Sequence, residues 1–303
     1  MASVELPTEP PSREGAGRRL SSFLHRHPRL RLSLLLTGPV GWLVVAYLGS
    51  LAVLLVAAFW RLDPFTSEIV RDYGLDNFRL LWERDVYRSI AFRTIGIAAA
   101  VTVTDALLAF PIAYYMAKVA SKRTRRVLVV AILMPLWASY LVKVYAWRII
   151  LQENGVLNWS LDPLGLSGPG FGNVATWLVF SYLWLPFMVL PIYAGLERIP
   201  NSMLDASGDL GGHPWMTFRR VILPLALPAV VAGSIFTFSL TLGDFITPTI
   251  VGGDNHQLIG SVVYSNFGIA NNAPFAAAFA TVPLAIMAIY LIVARRLGAF
   301  EHL

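Results

Sequence analysis

Two acids interrupt or border apolar stretches of this chain, in places where a charge needs a partner. Asp105 sits near the middle of the run Ile95–Ala117, and Asp244 follows the charge-free run Val221–Leu242. A carboxylate at the centre of a membrane helix costs about 2.5–3.5 kcal/mol on insertion scales, so Asp105 should face a polar interior. It can pair with Lys143, bond to a neighbouring hydroxyl, or meet a cation in a pore. Trp137 and Tyr140 recur at helical spacing with Trp147 further along, and their ring faces suit packing or the attraction of an ammonium group. Lys143, one turn from Tyr140, opposes a polycation site unless it turns outward or is neutralised. Asp244 either caps the end of its helix or opens a gate segment, DFITPTIVGG, that re-enters the membrane. These residue types either pair and pack inside a bundle or meet an organic cation, and no catalytic set accompanies them. The five histidines (25, 27, 213, 256 and 302) are scattered and lack zinc-ligand spacing, and the absence of cysteine excludes thiolate metal sites and Fe–S clusters. Neither a metal nor a cofactor is expected. A Walker A loop needs Gly-Lys-Ser/Thr, and none of Lys118, Lys122 and Lys143 follows glycine, so any ATP hydrolysis belongs to a separate subunit.

The elements that must position these residues are membrane helices. Of 303 residues, 56% are hydrophobic and 14% charged, with a mean hydropathy of +0.61, outside the range of soluble domains. Apolar runs long enough to span predict six transmembrane helices near 34–60, 92–117, 127–149, 174–196, 222–242 and 275–294. The third carries a kink at Pro135. The fold class is therefore an all-α integral membrane protein. Residues 1–31 read as a disordered basic cytoplasmic arm, 32–296 as the transmembrane domain, and 297–303 as a cytoplasmic tail. Arginines and lysines crowd the arm, the loop 118–126, the region 198–220 and the positions 295–296, while the loops 151–173 and 244–274 hold none. The positive-inside rule then puts both termini in the cytoplasm. The basic residues sit at headgroup level beside an anionic bilayer, so the positive charge does not indicate nucleic acid. Loop 61–89 mixes arginines with acids and aromatics and suits short surface helices.

Residues 205–224, DASGDLGGHPWMTFRRVILP, form a polar segment on the basic side, within a loop at 197–224. Ser202 suits an N-cap with Asp205 three residues on, and Gly211-Gly212 ends that short helix. Pro214 opens a second one through Trp215, Met216 and Phe218, and Pro224 opens the next span. From these residues alone the segment is an amphipathic connector on the membrane surface or a docking element.

The spacing of Asp205, Ala206, Gly211, Phe218, Val221, Leu223 and Pro224 resembles the EAA loop of bacterial ABC-importer permeases of the type I class. Asp205 replaces the usual Glu and Ser207 the second Ala, which keeps the charge but shortens its reach. The segments 134–158, 182–196 and 243–253 resemble the spermidine/putrescine branch (PotB/PotH), and the similarity spans roughly residues 35–295. The resemblance implies a permease subunit in a bacterial inner membrane forming half of a pathway for a small organic cation such as a polyamine. It implies a cytoplasmic ABC ATPase dimer gripping residues 205–224, a second permease subunit in a heterodimer, and a periplasmic or lipoprotein substrate-binding protein. Relatives of this pattern also carry opines, aminophosphonates or amino-acid derivatives. A secondary transporter would carry inverted repeats, and no internal repeat is visible. A membrane enzyme would need a clustered acid or histidine set, which is missing.

Overall fold

The computed structural model describes residues 25, 27–253 and 256–296. The tail at 297–303 and most of the arm at 1–31 lie outside the described residues. The chain divides into two units, 1–56 and 57–303. The first is carried by α1 (Leu30–Ala57), a 28-residue apolar helix widened by a π-helical stretch at Val44–Gly49.

The second unit opens with a two-stranded antiparallel hairpin, β1 (Arg61–Leu62) and β2 (Ile69–Val70). Asn77, on the short helix α2 (Asp76–Glu83), donates to the carbonyls of Ala58 at 2.9 Å and Trp60 at 2.7 Å, which fastens this loop. Helix α3 (Asp85–Val119) starts seven residues before the expected 92, because Asp85 places an acid in its first turn, where the helix dipole favours one. Its last turn, Tyr115–Val119, is π-helical.

The expected third span is not one kinked helix. It is two half-helices, α4 (Lys122–Trp137) and α5 (Tyr140–Leu151), set 91° apart. Pro135 removes one backbone donor and its ring crowds the preceding turn, and Ala138 and Ser139 then adopt extended conformations. Ser121 caps α4 by accepting from the Thr124 N–H at 3.2 Å. After the short α6 (Val156–Leu161), α7 (Asn173–Arg198) carries Pro186 and Pro191 inside it.

Helix α8 (Asn201–Asp209) leads to the 30-residue α9 (Pro214–Gly243). Sequence reasoning expected a separate short helix and a new span opening at Pro224. The two are instead continuous, joined by a π-helical turn at Phe218–Ile222 that absorbs the missing Pro224 donor. Short helices α10 (Ile246–Val251) and α11 (Ile259–Gly268) follow, then α12 (Ala273–Arg296), which ends on Arg295 and Arg296. Among the described residues, five helices are long and apolar enough to cross a membrane, and six spans result when α4 and α5 count as one.

The core lies where α3, α7 and α9 meet. Ala109, Ala113 and Met116 pack on Met188, Ile192 and Ala226. Small residues set the spacing: a Cβ on Gly233 would meet the Met188 sulfur at 2.8 Å, so the bare glycine lets the two backbones approach.

Candidate cation site and coupling loop

The end of α9, the start of α10 and the start of α5 bring together residues far apart in sequence. Asp244 accepts from the Tyr140 hydroxyl and, at 2.9 Å, from the Thr247 N–H, so it caps the first turn of α10. Tyr140 also lies 2.6 Å from the Thr247 hydroxyl. The break at residues 138–139 lets Tyr140 turn inward, where its ring stacks on Trp184 of α7 at 6.0 Å with a 17° interplanar angle. Phe180 and Phe187 extend the aromatic group around Trp184. A cavity of about 350 Å³ opens beside it, lined by Trp184, Ser239, Asp244 and Phe245 among others. A carboxylate next to aromatic faces at the wall of a cleft can hold an ammonium group through charge and ring quadrupole together.

The other predicted pore residues are not drawn into this group. Trp137, on the far side of the break, is 80% exposed, so the bend gives Trp137 and Tyr140 different surroundings. Asp105 is 0% exposed in the interior of the α3–α7 pair, with neither carboxylate oxygen hydrogen-bonded. Its neighbour Ser181 is buried with a hydroxyl that lacks a partner as well. No ion pair joins Asp105 to Lys143 among the described residues. Next to this locus, the Trp177 indole N–H donates to the Thr104 hydroxyl at 3.1 Å, so the α3–α7 interface carries a polar seam.

The loop 197–224 folds as a helical elbow. Helix α8 starts two residues earlier than expected, at Asn201, with Pro200 in the N-cap position and no side-chain cap. The proposed Ser202–Asp205 capping pair is therefore absent, because the preset extended backbone of Pro200 already starts the helix. Asp205 and Ala206 are exposed on α8. Gly211 ends the helix with φ +79°, its N–H bonding to the Gly208 carbonyl at 2.9 Å while the Gly212 N–H reaches the Ser207 carbonyl at 2.8 Å. That pair of bonds is a Schellman closure, which calls for glycine at the left-handed position. The Ser207 hydroxyl lies 2.8 Å from that of Thr217, holding the two arms together. Trp215 stacks on Phe218 at 5.5 Å, and Phe218 meets Phe110 of α3 edge-on. Leu223 and Pro224 are exposed on α9.

Sequence reasoning missed Trp184 and Thr247. The aromatic repeat Trp177, Phe180, Trp184, Phe187 marks one face of α7, and Thr247 stands three residues after Asp244 at cap spacing. Neither signal tells which distant element faces it.

Comparison with known proteins agrees with this architecture. A family model described as "Binding-protein-dependent transport system inner membrane component" matches residues 109–299. The chain is similar to the inner membrane ABC transporter permease protein YdcU of Escherichia coli K12, at 46% identity over 97% of each chain. It is similar to the spermidine/putrescine transport system permease protein PotB of the same strain, at 30% identity over 84% of this chain and 93% of PotB. Among solved structures, a bacterial alginate ABC transporter chain superposes with a TM-score of 0.74 at 15% identity, over 92% of this chain and 97% of that one. A chain of the MetNI methionine ABC transporter superposes with a TM-score of 0.56 at 17% identity, over 72% of this chain and 95% of that one.

Proposed function

Because this chain belongs to the binding-protein-dependent transport system inner membrane component family, a family of multi-pass ABC-importer permeases rather than enzymes, we propose that its cargo is a small organic cation, a polyamine such as spermidine or putrescine. It forms half of the pathway. The observation that carries this reading is the Asp244 carboxylate set between Tyr140 and the cavity it shares with Trp184. One ammonium group of a polyamine would replace the Tyr140 hydroxyl as partner of Asp244 while the alkyl chain lies against the ring faces. PotB, 30% identical, is named for spermidine and putrescine, which supports the assignment.

The working complex is a pair of permease subunits, this chain and a different one, on a cytoplasmic ATPase dimer, with a substrate-binding protein at the opposite face. The exposed elbow at 205–224 is the surface offered to the ATPase, with Asp205, Trp215 and the Gly211 turn at its contact face. The arginine-rich ends support a reading with both termini in the cytoplasm.

Lys143 favours a second reading. It lies one turn beyond Tyr140 on α5 and adds a positive charge near the site, which suits a solute carrying a carboxylate or phosphonate beside its amine, such as an opine or aminophosphonate. The deciding experiment measures binding of spermidine, putrescine, an opine and an aminophosphonate to the cognate binding protein, then ATP-driven uptake of each by the reconstituted complex. Polyamine binding at micromolar or tighter affinity with matching uptake supports the first reading. Selective binding of a zwitterion would replace it with the second.

A further inference from the structure

We propose that Lys118 and Arg125 are positioning residues for coupling: a two-cation clamp that makes the elbow move as one body with the inner ends of α3 and α7. The proposal rests on the reading that the elbow receives the ATPase.

The need for a clamp comes from the backbone. Between α7 and α8 lie only Ile199 and Pro200, both extended (ψ 117° and 140°) and outside either helical ladder. A push on α8 would be lost as rotation about this link unless something bridged it. Lys118 bridges it: its ammonium donates to the Ile199 carbonyl at 2.5 Å and to the Asn201 side-chain oxygen at 3.3 Å. One bond fixes the C-cap of α7, whose carbonyl has no helical partner, and the other fixes the first residue of α8.

Arg125 secures the base from which Lys118 acts. From the first turn of α4 its Nε donates to the Met116 carbonyl at 2.9 Å and one Nη to the Ala117 carbonyl at 3.1 Å. The other Nη pairs with Glu197, on the last turn of α7, at 3.0 Å. Only a planar fork reaches three acceptors in this way, and a lysine would satisfy one or two. The carbonyls it holds belong to the π-helical turn that carries Lys118, so the two cations act in series. The far arm of the elbow is held differently, by the Phe110–Phe218 edge contact. Both arms are thus tied to α3, the entering arm by charge-assisted hydrogen bonds from Lys118 and the leaving arm by ring packing.

The test uses the complete complex, and the absence of native cysteine makes introduced thiols unique in this chain. Spin labels at Val119→Cys and Leu210→Cys report the distance between the α3 end and the elbow, with and without ATP–vanadate trapping. With the clamp intact the distance should stay within about 2 Å between the two states, the scale of an ordinary helix adjustment. In Lys118→Met it should broaden or shift by about 5 Å or more. ATP hydrolysed per spermidine imported should rise about tenfold, the size expected for losing one charge-assisted hydrogen bond. Glu197→Gln, a milder change that leaves the carbonyl bonds of Arg125 in place, should give a smaller rise in the same direction. A fixed distance and unchanged ratio in both variants, whatever their thermal stability, would overturn the clamp, as would a large shift with the clamp intact. The underlying reading is checked separately by disulfide formation between Leu210→Cys and cysteines placed along the ATPase surface. Failure there removes the docking assignment itself, whereas cross-linking with unaltered coupling removes only the clamp.

Discussion

The Tyr140 hydroxyl donates to the Asp244 carboxylate across 104 residues of sequence, joining the second half of a broken span to the end of another. The 91° bend between α4 and α5 gives Tyr140 surroundings that the exposed Trp137, just before it, does not share. The break turns Tyr140 toward Trp184, and the cap on α10 aims Asp244 at the same place. The contact therefore reports on the relative position of α5, α9 and α10, the elements at one mouth of the bundle.

Asp244→Asn keeps the side-chain shape and the acceptor that caps α10, and removes the charge. Spermidine uptake should fall about tenfold or more, the loss expected for one charge-assisted contact, with subunit levels in the membrane unchanged. Initial uptake rates against spermidine concentration, normalised to immunoblotted protein, measure this. Equal rates would remove Asp244 as a substrate contact.

Tyr140→Phe leaves the Trp184 stack and deletes the hydroxyl shared by Asp244 and Thr247. A hydrogen bond to a charged group is worth about 1.5–3 kcal/mol, so the purified complex should melt earlier. The spermidine concentration giving half-maximal uptake should change in either direction, because the hydroxyl competes with the ammonium for the acid. A shift in melting with no change in that concentration would make Tyr140 purely structural.

Gly211→Val forces a β-branched residue to φ +79°, a strain of about 1–2 kcal/mol. ATP-driven uptake should drop at least about fivefold at that cost, while the chain still inserts. Gly208→Ala is the matched control, because a Cβ there meets open space within a helix, and alanine should stabilise α8 by about 0.5–1 kcal/mol. Indistinguishable uptake in the two variants would mean that the turn does not transmit motion.

Asp105→Asn removes a buried ionisable group whose two oxygens lack partners. Desolvation of such a group costs about 1–3 kcal/mol, so the amide should raise the melting temperature of the detergent-purified complex. Uptake should stay within about twofold, since the carboxylate is sealed from solvent and a change of that size is under 1 kcal/mol. A loss of uptake with intact melting would show that α3 and α7 part during transport and expose it.

Much of the architecture was legible because membrane insertion imposes a coarse signal: long charge-free runs become helices whatever their neighbours do. The glycine closure of the elbow was equally readable, since a left-handed residue at a helix end leaves few choices beyond glycine. The break before Tyr140 was not, because Pro135 announces a kink but not its angle, and the extended pair Ala138–Ser139 depends on what packs around it. The Asp244–Tyr140–Trp184 group was half visible. Its acid and phenol stood out as polar atoms at apolar positions, whereas Trp184 reads as one more core aromatic until α5 is seen against it. The start of α8 was misplaced by two residues because Ser202 looked like a cap, yet Pro200 had already set the backbone.

The two extended residues between α4 and α5 interrupt the helical ladder of an apolar segment, and lipid offers no partner to a backbone group freed in that way. Such a gap is tolerated only where protein or water comes to it. The crooked span thus turns its elbow toward an aqueous lumen or a neighbouring chain. The limb that carries Tyr140 can then swing through rotation about a few bonds, leaving the limb that carries Arg125 and everything bolted to it undisturbed.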